Sequence, residues 1–262
     1  MSTILEVTQL TRSFGGLTAV SNVDLTLEQG ELVGLIGPNG AGKTTVFNLL
    51  TGVYPPSSGT IVFSSPGQTQ SLGGKAPYAI CRAGVGRTFQ NIRLFKQLTV
   101  LENVMIAYQQ NQRYPLATSF LRLPGFRRAE DEIREGAREL LRVMHLDHVA
   151  DELAVNLSYG GQRHLEIARA LATRPTLLLL DEPAAGMNPT ETAQLTELIR
   201  QIRHDFGLTV LLIEHDMSLV MQVCERIYVL DHGIVIASGT PDEVRANPRV
   251  IEAYLGEEVD HA

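Results

Sequence analysis

Short apolar segments predict β-structure at the start of the chain. Apolar and polar residues alternate over residues 23–27, which indicates a strand with one buried face. Residues 31–36 form an apolar run that ends at a glycine, as a buried strand does. A helical pattern follows over residues 44–52, and residues 60–63 resemble a further strand. Residues 64–77 are rich in Ser, Gly, Gln and Pro, so we expect an exposed loop there.

Between about residues 98 and 150 the apolar period becomes helical. The clearest helix places apolar side chains on one face, with acidic and Arg residues between them. These side chains are Ile133, Ala137, Leu140, Leu141 and Met144. We expect this face to pack against another element. Residues 109–128 are less regular and contain prolines and aromatic residues, which indicates a loop or a short-helix insertion.

Helix and strand patterns alternate again after Ser158. A helix that contains residues 195–202 is expected to end at Gly207, and a buried strand follows over 208–213. Residues 226–237 read as a β-hairpin around the turn sequence DHG.

The order of these elements predicts one domain over residues 1–262. Residues 1–90 and 158–262 would form a β/α core, and residues 91–157 would form an inserted helical subdomain.

Composition and charge narrow the class of protein. The chain is 44% hydrophobic and 19% charged, values typical of a globular domain and not of a disordered one. Its net charge is −7, whereas nucleic-acid binders usually carry a basic surplus. We therefore expect no nucleic-acid partner.

The cysteines and the apolar runs predict a cytoplasmic location. Cys81 and Cys224 are the only cysteines and form no metal-ligand spacing, which is typical of unpaired thiols in a reducing compartment. The N-terminal residues do not have the pattern of a signal peptide. Apolar runs such as 177–180 and 210–213 are far shorter than the ~20 residues that span a bilayer. Any membrane role must therefore act through a partner.

Residues 37–44 read GPNGAGKT and match the phosphate-binding pattern GxxxxGK[ST] between a predicted strand and a predicted helix. Glycines let successive backbone N–H groups turn toward phosphate oxygens, and the helix N-terminus adds positive potential. Lys43 supplies a full positive charge for the β- and γ-phosphates, and the Thr44 hydroxyl suits Mg²⁺. The predicted nucleotide contacts here are Gly37, Pro38, Asn39, Gly40, Ala41, Gly42, Lys43, Thr44 and Thr45.

Two carboxylates follow the buried run LLLL at residues 177–180. Asp181 would lie at the carboxyl end of a parallel strand, where ligands bind, and is the candidate to hold Mg²⁺ directly or through water. Glu182 is the candidate to orient the attacking water or accept its proton. Alone, such a run is more often a strand that enters a solvated turn. The upstream phosphate-binding loop favours the catalytic interpretation.

Two further polar residues gain meaning only in this setting. His215 follows the next predicted strand and is a candidate to hydrogen-bond the γ-phosphate. Gln90 offers an amide that can reach both the metal and the attacking water. In isolation, each is more readily explained as a structural or solvated residue.

The sequence LSYGGQ at residues 157–162 predicts a second anion site. Ser158 can cap the helix that follows, and Gly160 and Gly161 leave its first amides uncovered. One phosphate group hardly needs two such cradles from one chain. A symmetric dimer, in which each chain's second cradle closes over the other's nucleotide, explains the duplication. An ordinary capped helix is the alternative for these residues alone.

The order of these motifs resembles the ATP-binding cassette family over essentially the whole chain. This resemblance implies an α/β fold with a P-loop NTPase (RecA-like) mixed-sheet core, an N-terminal antiparallel β region and an inserted α-helical subdomain. It implies ATP and Mg²⁺ as cofactors, with Lys43, Glu182 and His215 in catalysis. It also implies that Phe14 stacks on adenine. Ser158, Gly160 and Gly161 would contact the γ-phosphate bound by the opposite subunit, and Gln162 is a further predicted nucleotide contact. The implied metal contacts are Thr44, Gln90 and Asp181.

A closer resemblance is to the ATP-binding subunits of branched-chain or hydrophobic amino-acid importers, the Liv type. It is carried by RTFQNIRLF, LEIARAL, LLLLDEPAAGMNP and the ending AYLGE. It implies transmembrane permease subunits, a second and related ATPase subunit in a head-to-tail dimer, and an external substrate-binding protein. The chain would then be peripheral on the inner face of the cell membrane.

The chain departs from the family pattern at three positions. Tyr159 replaces the usual first glycine of LSGGQ, and Asn188 stands where many cassettes carry Asp. Phe14 replaces the frequent Tyr but keeps a stacking face.

Two alternatives share most of these motifs. One is a soluble cassette ATPase of DNA repair or translation, although the long coiled coils or the paired cassettes of those proteins are not evident in this sequence. The other is the ATPase of lipopolysaccharide export, which moves a different cargo.

Overall fold

The computed structural model describes residues 2–111 and 124–260, which fall into two compact units. The first unit takes the residues up to Arg87 and from Thr176 onward, and the second is Thr88–Pro175. These boundaries differ from the expected ones at 90/91 and 157/158. The second unit gains residues 88–90 and 158–175 because the helix that follows Ser158 packs on the inserted helices and hydrogen-bonds to the segment after Arg87.

The first unit contains an antiparallel sheet of four strands in the order β2-β1-β4-β5. This sheet confirms the expected N-terminal antiparallel β region. Its strands are β1 (Thr3–Phe14), β2 (Leu17–Glu28), β4 (Ser58–Ser65) and β5 (Gln68–Ser71).

The second sheet of the first unit is mixed, with the order β10-β9-β3-β8-β7-β6. Strands β9 and β10 are antiparallel, and the other neighbours are parallel. The carboxyl ends of the parallel strands therefore share one edge of the sheet. The six strands are β3 (Leu32–Ile36), β6 (Val85–Arg87), β7 (Leu177–Asp181), β8 (Thr209–Ile213), β9 (Arg226–Asp231) and β10 (Ile234–Gly239).

The helices are divided between the two units. In the first unit they are α1 (Lys43–Leu50), α2 (Pro77–Ala83), α6 (Pro189–Phe206), α7 (Met217–Val223), α8 (Pro241–Arg245) and α9 (Pro248–Asp260). In the second they are α3 (Val100–Tyr108), α4 (Pro124–Val143) and α5 (Tyr159–Ala172). Among the residues that the structure describes, no helix is long and apolar enough to cross a membrane.

Most predicted elements are confirmed. The alternating residues 23–27 lie in β2, with Val23, Leu25 and Leu27 buried. Helix α6 ends at Gly207, whose φ of 61° is left-handed, as expected of a glycine stop. The DHG turn joins β9 to β10, and His232 (φ 43°) and Gly233 (φ 81°) adopt the positive φ that a tight hairpin turn requires.

Two expectations are wrong in part. Residues 64–77 are not simply a loop, because β5 pairs with β4 inside this segment and places Gln70 opposite Phe63. The sequence QTQS has no apolar residue, so it gives no periodic signal, and its strand is defined by backbone pairing at the sheet edge. For residues 109–128 we expected a loop or a short-helix insertion; residues 109–111 form a 3₁₀ turn, which agrees with a short helix, but the long helix α4 already begins at Pro124. Residues 112–123 lie outside the described part of the chain.

The core of the first unit combines both sheets with α1. Phe47 of α1 and Phe63 of β4 are fully buried in it, together with apolar residues of β1, β2, β3 and β9. This packing fixes the end of β3 against the start of α1, which is where the phosphate-binding sequence lies.

In the second unit, the predicted apolar face of α4 is buried. Ile133, Ala137, Leu140 and Leu141 lie on it, and it packs against α3 and α5. The prediction of an amphipathic helix is confirmed.

Candidate functional site

The loop between β3 and α1 has a backbone that only glycine allows at two positions. Gly37 has a φ of 151°, and a Cβ there would lie 1.9 Å from the carbonyl oxygen of Leu230. At Gly42, with a φ of 101°, a Cβ would lie 2.6 Å from the carbonyl oxygen of Ala19. Any side chain at either position would displace the strand behind the loop. Close backbone packing therefore requires glycine at positions 37 and 42.

The turn between β9 and β10 supports this loop from behind. The Gly233 N–H donates to the Ala41 carbonyl (3.0 Å), and the Ser21 N–H donates to the Gly233 carbonyl (2.8 Å). The sequence predicted the hairpin but not this contact, since nothing in DHG indicates which loop the turn meets.

The start of α1 is arranged for an anion. Its N-cap is Gly42, with no side-chain cap and no acidic residue in the first turn, so the first amides and the helix dipole face the loop. Lys43 is buried, and its Nζ donates to the carbonyls of Gly37 (2.6 Å) and Pro38 (2.8 Å). Thr44 is exposed at the second position of the helix. A full positive charge, helix amides and a hydroxyl thus surround one loop, which is the chemistry of phosphate binding.

Asp181 ends β7 and is buried at 2% exposure. Its Oδ2 accepts a hydrogen bond from Arg87 Nη2 at 2.7 Å. The other guanidinium nitrogen of Arg87 donates to Asn48 Oδ1 (2.8 Å) and Thr51 Oγ1 (2.9 Å), both on or next to α1. Arg87 therefore ties the predicted metal-binding carboxylate to the phosphate-loop helix. Sequence reasoning missed Arg87. A basic residue at the end of a buried strand could have indicated an ion pair with a nearby carboxylate.

Glu182 has a strained backbone. Its φ is 48°, a conformation uncommon for residues other than glycine, and its N–H donates to the Ile213 carbonyl at 2.9 Å. Strain of this kind concentrates at functional sites, where surrounding contacts enforce it. The side chain is buried, and its Oε1 lies 2.8 Å from His215 Nε2. The predicted base and the predicted γ-phosphate contact are therefore direct neighbours.

Glu214 is a second buried acid at this edge. Its Oε1 accepts from the Ala184 N–H (2.6 Å) and its Oε2 from the His215 N–H (3.2 Å), so it fixes the turn after Glu182. Burial raises the pKa of Glu214, backbone hydrogen bonds oppose that rise, and the nearby charge of Glu182 adds to it. Sequence reasoning missed this residue, because its hydrogen bond to Ala184 joins segments that are 30 residues apart in the sequence.

The strand order explains why these groups meet. Strand β8, which leads into His215, lies between β3, which leads into the phosphate loop, and β7, which leads into Glu182. Neighbouring strands are about 4.8 Å apart, so His215 is placed between the loop and Glu182 at the carboxyl edge.

Phe14 lies in an aromatic and basic cluster. Its ring is 39% exposed and contacts the Tyr54 ring edge-on, with 5.1 Å between centroids. The Arg12 guanidinium lies 4.5 Å from the Phe14 centroid, and its Nη1 donates to the Pro55 carbonyl at 2.9 Å. These contacts hold the ring in place, and the stacking of Phe14 on adenine stays a prediction.

The second unit contains the other predicted cradle. Ser158 is the N-cap of α5, as expected, and its Oγ accepts from the Gly161 N–H at 3.1 Å. The expectation that both glycine amides are uncovered is therefore wrong for Gly161, because the cap itself takes up this amide. Gln162 Nε2 donates to the Leu157 carbonyl at 3.0 Å, so this side chain closes the turn. Gln90 is exposed, and its backbone carbonyl accepts from Arg163 Nη2 at 3.0 Å.

The predicted site residues are divided between the two units. The first unit holds Phe14, the phosphate loop, Asp181, Glu182 and His215, and the second holds Gln90 and the 158–162 segment.

Asn188 keeps the capping role that an Asp would have. Its Oδ1 accepts from the Glu191 N–H, and Glu191 Oε2 accepts from the Asn188 N–H, each at 3.0 Å. This is a complete capping box at the start of α6. The change from Asp removes a charge without removing the helix cap.

Metal ligands are sparse. Within residues 2–111 and 124–260, no group of three or more His, Cys, Asp or Glu side chains is placed to hold a metal ion. Mg²⁺ is typically bound through one or two carboxylates plus substrate phosphates. The buried Asp181 carboxylate and the Thr44 hydroxyl fit that kind of site, in which the nucleotide completes the coordination.

Two family patterns match the chain. The pattern of the ABC transporter family matches residues 20–185. The pattern of the branched-chain amino acid ATP-binding cassette transporter matches residues 235–260, which include most of β10 and all of α8 and α9.

Curated relatives match along nearly the whole chain. The high-affinity branched-chain amino acid transport ATP-binding protein LivG of Escherichia coli (strain K12) is 51% identical over 254 residues, which cover 97% of this chain and 98% of that protein. Its counterpart BraF of Pseudomonas aeruginosa is 49% identical over the same shares. The lipopolysaccharide export system ATP-binding protein LptB of Escherichia coli is 35% identical, again over 97% and 98%.

Solved structures share the fold. The ADP conformation of MJ1267, an ATP-binding cassette of an ABC transporter, has a TM-score of 0.84 and 31% identity, covering 98% of this chain and all of that one. The dimeric structure of MJ0796, a bacterial ABC transporter cassette, has a TM-score of 0.76 and 25% identity, covering 91% and 99%. With the phosphate loop, the Glu182–His215 pair and these relatives together, the chain belongs to the ABC transporter family as one of its ATP-binding, ATP-hydrolysing cassettes.

Proposed function

We propose that this chain is the ATPase subunit of an importer for branched-chain or other hydrophobic amino acids. The ATPase part of this proposal rests on the contact of Glu182 with His215 at the sheet edge that also bears the phosphate loop, and the cargo rests on the match of residues 235–260 to the branched-chain amino acid transporter pattern. The greater identity to LivG than to LptB, 51% against 35%, favours amino acids over lipopolysaccharide as the cargo.

ATP is proposed to bind with its phosphates in the 37–44 loop and its adenine on Phe14. Lys43 would release its bonds to the loop carbonyls and turn toward the β- and γ-phosphates, because a phosphate is the stronger partner for an ammonium group. The residues proposed to hold Mg²⁺ are Thr44 and Asp181. The ion supplies charge neutralisation at the phosphate oxygens when it is bound. The metal-binding role of Gln90 stays a prediction from the family resemblance.

Glu182 is proposed to orient the attacking water and accept its proton. The carboxylate is a suitable acceptor because it lies at the same sheet edge as the phosphate loop and its backbone is held on both sides. His215 Nε2–H would donate to the Glu182 carboxylate before ATP binds, and would turn to donate toward the γ-phosphate once ATP is bound. Loss of that phosphate would then be sensed at the end of β8.

The functional unit is proposed to contain two cassettes in head-to-tail contact. The Gly160 amide and the Ser158 hydroxyl would meet the γ-phosphate bound by the partner ATPase, and the Gly161 amide would join them by exchanging its bond to Ser158 Oγ for one to the phosphate. Transmembrane permease subunits would take up the motion, and an external binding protein would deliver the amino acid. The chain would then lie on the inner face of the cell membrane through its permeases.

The cargo is tested by purifying the native complex through a tag on this chain and reconstituting it in liposomes. Uptake of labelled leucine, isoleucine or valine is expected with ATP on the cassette side. A Lys43→Ala variant should show no uptake, since removal of the ammonium charge takes away phosphate binding. Co-purification of lipopolysaccharide-export membrane subunits, or of none at all, would contradict the proposal.

A further inference from the structure

The segment that follows β6 is fastened to α5 by one buried guanidinium in the second unit. Arg163 is fully buried, at 0% exposure. Its Nη1 donates to the Phe89 carbonyl (2.7 Å) and to Glu166 Oε2 (2.8 Å). Its Nη2 donates to the Gln90 carbonyl (3.0 Å) and lies 3.1 Å from the Tyr159 hydroxyl. The planar guanidinium group of Arg163 therefore joins two backbone carbonyls of this segment to two side chains of α5.

Glu166 completes the connection from the other side. Its Oε1 accepts from the N–H groups of Phe89 (3.2 Å) and Arg93 (3.4 Å). Burial raises the pKa of Glu166, and the positive charge of Arg163 with these hydrogen bonds opposes the rise. A buried ion pair of this kind contributes little net stability, but it specifies one arrangement of the groups that it joins. Here it specifies the position of the backbone around Gln90 relative to α5.

Tyr159 links this cluster to the predicted anion cradle. It is the first residue of α5, between the N-cap Ser158 and the glycines 160 and 161. Its ring centroid lies 5.8 Å from the Arg163 guanidinium, one turn further along the helix. A glycine at position 159, as in the common family pattern, has no side chain with which to make this bond.

We propose that Tyr159 is a positioning residue that couples the backbone at Gln90 to the Ser158–Gly161 cradle through Arg163. A displacement of the Gln90 carbonyl moves the guanidinium, and the guanidinium moves the phenol at the start of α5. The amides that meet the partner's γ-phosphate are thereby aligned according to the position of Gln90. This inference rests on the proposed function, which assigns the cradle to the partner's nucleotide.

The test is Tyr159→Phe in the purified transporter, because this change removes the hydroxyl and keeps the ring. Tyr159 is 46% exposed, so water competes for its hydroxyl and the bond is comparable to a typical intramolecular hydrogen bond, worth roughly a factor of three to ten in an equilibrium constant. The KM for ATP should therefore rise about three- to ten-fold. The kcat should stay near that of the wild type, since Glu182 and His215 lie in the first unit. More ATP should be consumed for each amino acid imported, and the ATP affinity of the isolated chain should not change.

Two further variants separate positioning from folding. Tyr78→Phe removes the hydroxyl of a tyrosine in α2 that is 68% exposed, and it should leave every parameter unchanged. Arg163→Lys keeps the positive charge but loses the planar fork, so it should raise KM more than Tyr159→Phe does. Thermal unfolding of each variant reports on folding itself.

The proposal would be overturned if Tyr159→Phe changed neither the KM for ATP nor the ATP consumed per amino acid imported, and Arg163→Lys lowered only the Tm. The cluster would then be purely structural. The KM for ATP of each variant can be compared with that of the wild type without knowing which substrate is imported. A wild-type complex that hydrolyses ATP without importing branched-chain amino acids would contradict the proposed cargo, and the variants would still decide the role of Tyr159.

Discussion

At the scale of single residues, the site depends on strained or buried groups that their neighbours hold in place. Glu182 has a φ of 48°, a conformation that costs on the order of 1–3 kcal/mol at a residue other than glycine. The Glu182 N–H bond to Ile213 and the Glu214 carboxylate on Ala184 hold this turn from two sides. The strain aims the Glu182 side chain at His215.

The ion pair of Arg87 with Asp181 gives a stability prediction. The exposed fractions of these side chains are 7% and 2%. Arg87→Met removes the ion-pair partner of a buried carboxylate, so the free energy of unfolding should fall by about 3–5 kcal/mol. Urea denaturation measures it. Arg142→Met is the control, since its pair with Glu135 is more than half exposed and should contribute about 0–1 kcal/mol. Equal losses in the two variants would show that the Arg87 pair is not an essential contact.

At the scale of elements, α7 packs on β3 through small and apolar groups. A Cβ on Gly34 would lie 3.1 Å from Cys224 Sγ and 3.3 Å from a methyl of Val220. The helix that follows His215 is thus in close contact with the strand that leads into the phosphate loop. Burial, with a smaller contribution from Glu225, raises the pKa of Cys224 to about 12.

This pKa predicts the reactivity of the thiol. At pH 8 the thiolate form of Cys224 is negligible, so iodoacetamide should modify Cys224 only after the protein unfolds. Peptide mass spectrometry before and after addition of denaturant measures this directly. Fast modification of Cys224 in the folded protein at pH 8 would contradict the packing of α7 on β3.

Elements with a strong pattern were predictable, and elements defined by pairing were not. The buried runs of β3, β7 and β8 and the amphipathic α4 follow directly from apolar spacing. Strand β5 was missed because QTQS has no apolar side chain, and its pairing with β4 is a tertiary contact. The site follows the same division. Lys43, Asp181 and Glu182 were evident from local motifs, whereas Arg87 and Glu214 act through partners distant in sequence.

At the scale of the whole molecule, the predicted nucleotide contacts are divided between two units. The phosphate loop, Asp181, Glu182 and His215 belong to the first, and Gln90 and the Ser158–Gln162 segment to the second. An ATP-driven cycle is proposed to need both units, with a second cassette to complete each site. The dimeric structure of the related cassette MJ0796 supports this arrangement.

The role of Glu182 as the catalytic base is tested most directly by ATP hydrolysis in the purified transporter carrying Glu182→Gln. Bound ATP is measured on the same sample. Glutamine keeps the shape of Glu182 but cannot accept the proton of water, and a general base contributes typically about 10²- to 10⁴-fold to rate. Glu197→Gln, an identical change at a side chain on α6 that is 74% exposed, is the control. We expect Glu182→Gln to retain ATP and to lose at least about 10²-fold in kcat, while Glu197→Gln matches the wild type. Hydrolysis by Glu182→Gln at a rate near that of the wild type would contradict the role of Glu182 as the catalytic base.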